Sequence, residues 1–317
     1  MKKKKILIAG GTGFIGYHLA KKCLALNWSV DSISTKSPLI KRKLAKVKYI
    51  KFDISKKKDL RKNLSNDYDY VINLAGYVDH SHKLKTMKSH FDGCKNLSMF
   101  FLNKKIEKFI QVGSSIEYGK LKSPQKENVK NLQKTYSFYG KAKLLSTKFL
   151  LELKKKYDFP ATIIRLYLVY GPKQDMNRLI PITIHNAINK KEFDCSAGHQ
   201  LRDFLYIDDL IEAIIKILKN QHVQGEIINI GSGQIISVKK LILKICKLAK
   251  GGNPQFGKIK FRKDEIKKLY PNISKAKLLL NWQPKISLRK DEILNLYPNL
   301  TKIKKKIKWS AKIDIEK

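Results

Sequence analysis

One stretch near the start of the chain, Ile6-Leu7-Ile8-Ala9-Gly10-Gly11-Thr12-Gly13-Phe14-Ile15-Gly16, constrains the fold more than any other. The β-branched run Ile6–Ala9, ended by glycines, predicts a buried strand. From Phe14 to Leu26 the apolar residues Ile15, Leu19, Cys23 and Leu26 share one helical face, which predicts a helix directly after the glycines. Glycines at 10, 13 and 16 in a strand-to-helix turn allow a tight bend, close approach of a pyrophosphate, and close packing of helix on strand. The free N–H groups and positive dipole of the helix start suit phosphate. Gly10, Thr12, Gly13, Phe14, Ile15 and Gly16 are therefore the expected dinucleotide-binding turn.

The same alternation continues. Strands are predicted at Val30–Ile33, Val47–Phe52, Tyr70–Leu74, Phe109–Val112 and Ala161–Tyr167, with helices at about Lys95–Leu102 and Tyr139–Tyr157. Repeated strand–helix–strand units of this length predict an α/β fold: a Rossmann-type doubly wound parallel sheet. Beyond Gly171 the spacing predicts helices at Leu179–Ile188, Asp208–Leu218 and Val238–Ala249, a strand at Ile227–Ile230, and a loop at Lys250–Pro254. The expected organisation is a nucleotide-binding domain of residues 1–170 that also receives 203–235. Residues 171–202 and 236–289 would form a smaller substrate-binding lobe. Residues 263–289 and 290–316 form a tandem repeat of period 27, matching Tyr270 to Tyr297, Pro271 to Pro298 and Trp282 to Trp309. Two copies are too few for a solenoid, so 290–317 is expected to be a duplicated basic tail.

Composition narrows the partners. With 67 basic and 26 acidic residues the chain carries a formal charge of +41. Only seven of the basic residues are Arg, and the lysines are spread along the whole chain. Recognition of phosphates and bases in nucleic acid favours the planar fork of Arg, so the lysine excess is read as compositional bias, not a nucleic-acid interface. There is no run of 18 apolar residues, so no membrane-spanning helix is expected. Cys23, Cys94, Cys195 and Cys246 are far apart, which argues against a disulfide framework or a metal site and for a cytoplasmic protein.

Two further positions bear on chemistry. An acid about 20 residues after the glycines would hold the ribose 2′-hydroxyl of NAD. Here Asp31 falls inside the predicted strand, and the strand tip carries Ser34, Thr35 and Lys36. Hydroxyls and a cation suit a 2′-phosphate better, so NADP(H) is the expected cofactor, with NAD(H) the alternative. Tyr139 and Lys143 lie one helical turn apart on one face. An ammonium beside a phenol lowers its pKa, and the phenol can then exchange a proton with an alcohol or sugar oxygen during hydride transfer. Ser114, at the carboxyl end of a predicted strand, is placed to hydrogen-bond that oxygen, or else to cap a helix.

Taken in order, GGTGFIG, Phe52-Asp53-Ile54, Asn73-Leu74-Ala75-Gly76, SSIEYG (114–119), YGKAK (139–143), Val169-Tyr170-Gly171-Pro172 and Arg202-Asp203-Phe204-Leu205-Tyr206-Ile207-Asp208-Asp209 resemble the extended short-chain dehydrogenase/reductases that act as nucleotide-sugar epimerases, dehydratases and reductases. The resemblance runs from about Lys5 to Leu288. It implies a catalytic group of Ser114, Tyr139 and Lys143. It also implies cofactor contacts from Asp53, Ile54, Leu74, Ala75 and Gly76, and a nucleotide-sugar substrate held by Arg202 and Arg262. Where the 4,6-dehydratases carry Asp-Glu this chain has Ser115-Ile116, so dehydration is not expected. His90 and Leu168 each replace an Asn of the family pattern. The stretch 198–204 looks like the 4-ketosugar reductases, such as CDP-abequose synthase. The expectation is an NADPH-dependent 4-ketosugar reductase, or alternatively a 4-epimerase with tightly held NAD; the resemblance also implies a homodimer through the 139–157 helix. A binding protein on the same fold is the reading from another class.

Overall fold

In strand β1 (Lys5–Ala9), Ile6 and Ile8 enter one apolar layer while Leu7 and Ala9 enter another. The two-residue period thus buries both faces, as a central strand of a parallel sheet requires. The structure, a computed structural model, describes residues 3–77, 79, 82–127, 135, 137–261 and 265–286. Seven strands form the main sheet: β1, β2 (Ser29–Ser34), β3 (Val47–Lys51), β4 (Tyr70–Asn73), β5 (Lys108–Ser114), β6 (Ala161–Leu166) and β10 (Ile227–Ile230). Their order is β10-β6-β5-β4-β1-β2-β3, and every pair is parallel. The order reverses between β1 and β4, which opens a crevice at the carboxyl ends of those strands.

Helices cover both faces. Helix α1 (Phe14–Ala25) and α7 (Ile207–Lys219) contribute Leu19, Leu210 and Ile214 to one layer; α2 (Lys57–Asn63), α4 (Gly93–Phe101) and α5 (Phe138–Tyr157) contribute Leu60, Leu97 and Leu150 to the other. Helix α4 does not begin where the periodicity predicts. It continues a helical stretch formed by α3 (Lys83–Met87) and a π turn at Lys88–Asp92. The extra residue of a π turn breaks the 3.6-residue spacing that sequence periodicity relies on.

The remaining strands are short and of mixed polarity. β7 (Leu168–Tyr170), β11 (Ile235–Ser237) and β13 (Lys268–Leu269) all pair with β9 (Leu201–Tyr206). β8 (Glu192–Cys195) pairs with β12 (Asn253–Phe256), so the predicted loop at 250–254 is corrected in its last two residues. β12 is held by backbone pairing to a distant edge, a partner invisible in local sequence. Helices α6 (Leu179–Ile188) and α8 (Val238–Ala249) coincide with their predicted spans, and α9 (Ser274–Leu280) follows β13. The Asp209 carboxylate accepts the backbone N–H groups of Lys285 and Ile286, which ties this end of the chain to α7. The second copy of the 27-residue repeat lies outside the described residues. Among the described residues no helix is long and apolar enough to cross a membrane.

Candidate active site

The glycine turn sits at the mouth of the crevice. Gly10 has φ +81°, which L side chains rarely adopt, and its N–H donates to Ile33 O at 2.7 Å. A Cβ at Gly16 would stand 2.5 Å from Gly11 Cα, so α1 could not pack against the turn. Gly13 differs from both. A Cβ there would meet only Gly10 O, at 3.3 Å, and it would otherwise stand in open space at the helix start. Gly13 is also the N-cap of α1 and supplies no side-chain cap, so the first N–H groups of the helix lack that partner. A bare backbone face with free donors fits a pyrophosphate.

The neighbouring positions agree with that fit. Thr12 donates its hydroxyl to Ser34 Oγ at 2.9 Å, which joins the turn to the tip of β2, while Lys36 is exposed just beyond. Asp31 is buried within β2 and accepts a 2.6 Å hydrogen bond from Tyr68, away from that tip. Asp53 and Ile54 follow β3; Asp53 accepts from Ser55 N at 2.9 Å, and Ile54 is buried. Leu74 and Ala75 follow β4, and their backbone lies against Gly10; Leu74 N donates to Ala9 O at 2.8 Å.

The expected catalytic residues converge at the end of β5. Ser114 is its last residue, and Tyr139 and Lys143 lie in the first turns of α5. Ser137 caps that helix by accepting from Gly140 N at 3.1 Å, which starts the helix one residue before the phenol. The Ser114 hydroxyl acts on the Tyr139 phenol as a hydrogen-bonding neighbour, in the direction that lowers its pKa. Ser114 also fulfils its other expected part: its side chain accepts from Ile116 N at 3.4 Å and caps the short 3-10 turn Ser115–Tyr118.

The electrostatics correct one expectation. Burial raises the Tyr139 phenol above its usual range and Glu117 adds to the rise, while the Ser114 hydrogen bond and the charge of Arg178 oppose it. Lys143 is not the dominant influence on Tyr139. Its Nζ donates to Val112 O at 2.6 Å and stands 5.9 Å from the Tyr139 ring centroid. Burial lowers Lys143 itself to about 8, against the opposing charges of Glu117 and Cys94. Desolvation of both groups therefore outweighs their mutual effect in the protein alone.

Two side chains missed by sequence reasoning complete the wall. The π turn brings His90 against Tyr139, ring centroids 4.9 Å apart and edge to face. Its Nε2 lies 3.2 Å from Tyr77 O, and a Cβ at Gly76 would strike the imidazole at 1.9 Å. Glu117 is fully buried beneath Ser114 and is bound to Thr147 and Arg165. The signal for Glu117 was a charged residue in an otherwise uncharged strand-end motif.

Of the two expected substrate arginines, Arg202 lies on β9 and is engaged by Glu265 in an ion pair. Burial lowers its pKa and Glu265 opposes that shift. Arg262 lies outside the described residues. Among the described residues no cluster of three or more His, Cys, Asp or Glu is placed to hold a metal ion.

Comparison with known proteins places this geometry. The NAD dependent epimerase/dehydratase family matches residues 6–231. A Bacillus subtilis protein described as an uncharacterized UDP-glucose epimerase is 27% identical over 307 residues, covering 88% of this chain and 93% of that protein. The CDP-abequose synthase of Salmonella muenchen is 25% identical over 283 residues, covering 86% and 90%. The structure of UDP-glucuronic acid 4-epimerase from Bacillus cereus, with UDP-glucuronic acid and NAD, superposes with TM-score 0.81 at 26% identity, covering 94% of this chain and 99% of that one. A match over residues 6–231, most of the chain, means that the chain belongs to the NAD dependent epimerase/dehydratase family of extended short-chain dehydrogenase/reductases.

Proposed function

We propose that the protein is a nucleotide-sugar oxidoreductase acting at the sugar's fourth carbon, foremost an NADPH-dependent reductase of a nucleoside-diphosphate 4-ketosugar. The observation that carries the reading is the convergence of Ser114, at the carboxyl end of β5, with Tyr139 and Lys143 in the first turns of α5, Lys143 Nζ donating to Val112 O of the same strand at 2.6 Å. Bound in the crevice, the dinucleotide supplies the hydride. Tyr139 then donates its proton to the carbonyl oxygen as that oxygen gains charge, and Ser114 holds the oxygen in line. The raised phenol pKa keeps Tyr139 protonated and ready to donate. Lys143 stabilises the phenolate that is left and gives it a route to reprotonation. Gly10–Gly16 would hold the pyrophosphate. Asp53, Ile54, Leu74, Ala75 and Gly76 would line the rest of the dinucleotide, and Arg202, released from Glu265, would face the substrate's diphosphate with Arg262.

The absence of an acid from the β2 tip supports NADPH, because Asp31 is turned inward and Ser34 and Lys36 remain there. A 4-epimerase with tightly held NAD is the second reading, favoured by the likeness to the UDP-glucuronic acid 4-epimerase. Purified protein mixed with a nucleoside-diphosphate 4-ketosugar should oxidise one NADPH per product. Conversion of a nucleotide sugar to its C4 epimer with no net change in dinucleotide would establish the epimerase instead. Tyr139→Phe should keep dinucleotide binding and lose turnover, and undiminished turnover would remove Tyr139 from the chemistry. A homodimer through α5 belongs to the same proposal.

A further inference from the structure

Glu117 stands where β5 and α5, the two elements bearing the catalytic group, meet β6. Its Oε1 accepts the backbone N–H of Ser114 at 2.7 Å. Its Oε2 accepts from Thr147 Oγ1 at 2.7 Å and from Arg165 Nε at 3.1 Å, with Arg165 Nη2 at 3.0 Å. Thr147 lies one turn beyond Lys143 on α5, and Arg165 belongs to β6. Both members of the ion pair are fully buried, and Arg165 also stacks on the Tyr118 ring at 4.3 Å. A Cβ at residue 113 would lie 2.3 Å from Glu117 Oε1, so the glycine there makes room for the carboxylate. An ion pair this deep is expensive to desolvate, and a well-packed apolar pair would serve stability at least as well.

We infer that Glu117 is a positioning residue for the catalytic group: its carboxylate fixes the turn that holds Ser114 and ties that turn to the helix that carries Tyr139 and Lys143. The inference rests on the proposed roles of Ser114, Tyr139 and Lys143. Around Lys143 stand Glu117 from the turn after β5, Cys94 from α4 and Tyr139 from its own helix. Of these, Glu117 is the carboxylate, and its influence is to raise Lys143.

The test compares wild type with Glu117→Gln and with the double variant Glu117→Met/Arg165→Met, which replaces the pair by apolar side chains. Thermal unfolding and NADPH fluorescence titration report fold and cofactor site. The titration midpoint of Lys143 is followed by NMR of 13C-lysine-labelled protein without cofactor, its signal assigned by its loss in Lys143→Arg. The double variant is expected to unfold near the wild-type temperature. In both variants the Lys143 midpoint should fall by about one pH unit. kcat should drop by roughly tenfold or more with KM changed far less. If the double variant is stable and its Lys143 midpoint and kcat match wild type, the pair is structural and the inference fails. The midpoint is read without substrate. It therefore stands even if the chain reduces no ketosugar, and a shifted midpoint with no reductase activity in wild type would sink the proposed reaction and not this role.

Discussion

Gly13 and Gly16 are the same residue type under different constraints, and substitution separates them. An alanine Cβ at 16 would press on backbone at 2.5 Å. Gly16→Ala should therefore cost about 1–3 kcal/mol of stability, seen as a lowered unfolding midpoint in denaturant. At 13 the protein offers one contact at 3.3 Å. Gly13→Ala should keep its stability and lose dinucleotide affinity by about tenfold or more, worth about 1.4 kcal/mol. Wild-type affinity in Gly13→Ala would mean that the pyrophosphate does not lie on this turn. Tyr139 and Lys143 set the pH response. Tyr139 is pushed up, so it keeps its proton through neutrality; Lys143, lowered to about 8, loses its charge first. Reductive kcat/KM is expected to stay level below about 8 and to decline above it. A profile flat to pH 10 would detach the lysine from catalysis.

Among the elements, β5 carries the site at one end and a cost at the other. Lys108, its first residue, is fully buried, and its Nζ has no hydrogen-bond partner among the described residues. Burial, aided by the charge of Lys154, lowers it from 10.5 to about 8. Below pH 8 both folded and unfolded chains hold the proton, and the full penalty applies. Between about 8 and 10.5 the unfolded chain binds more protons, so stability rises with pH until the penalty is gone. Lys108→Met is expected to stabilise the protein by about 1–3 kcal/mol at pH 7, with the gain shrinking towards pH 10.5, as denaturant titrations at several pH values would show. A destabilised variant at pH 7 would show that the amine is satisfied. The long elements were legible because a period of 2 or 3.6 residues is a local property. β9 was not: Arg202 and Asp203 stand side by side in it and break the alternation, and Asp203 is buried because Ser232 and Gly233 donate to it from a turn some 30 residues away. The π turn was hidden for the same kind of reason, since what holds His90 in place is Tyr77, Gly76 and Tyr139.

At the scale of the molecule, a formal charge of +41 surrounds a crevice expected to take an anionic nucleotide sugar. Such a field raises encounter rates and is screened by salt. Raising ionic strength from about 0.02 M to 0.5 M should lower kcat/KM several-fold and leave kcat nearly unchanged. An unchanged kcat/KM would assign the lysines no part in substrate capture. Sheet order is a property of this scale too. β10 joins the edge beside β6 although 60 residues of helices and small strands intervene, and no local pattern encodes that neighbour.

Residue order was enough for the glycine turn, the doubly wound alternation and the Tyr139–Lys143 spacing, because each depends on neighbours within a few positions. Three-dimensional packing was needed to seat Glu117 under Ser114, to turn Asp31 inward and to pair Arg202 with Glu265. It also set the directions in which Tyr139 and Lys143 titrate, since burial and charge act through space between groups that lie far apart along the chain.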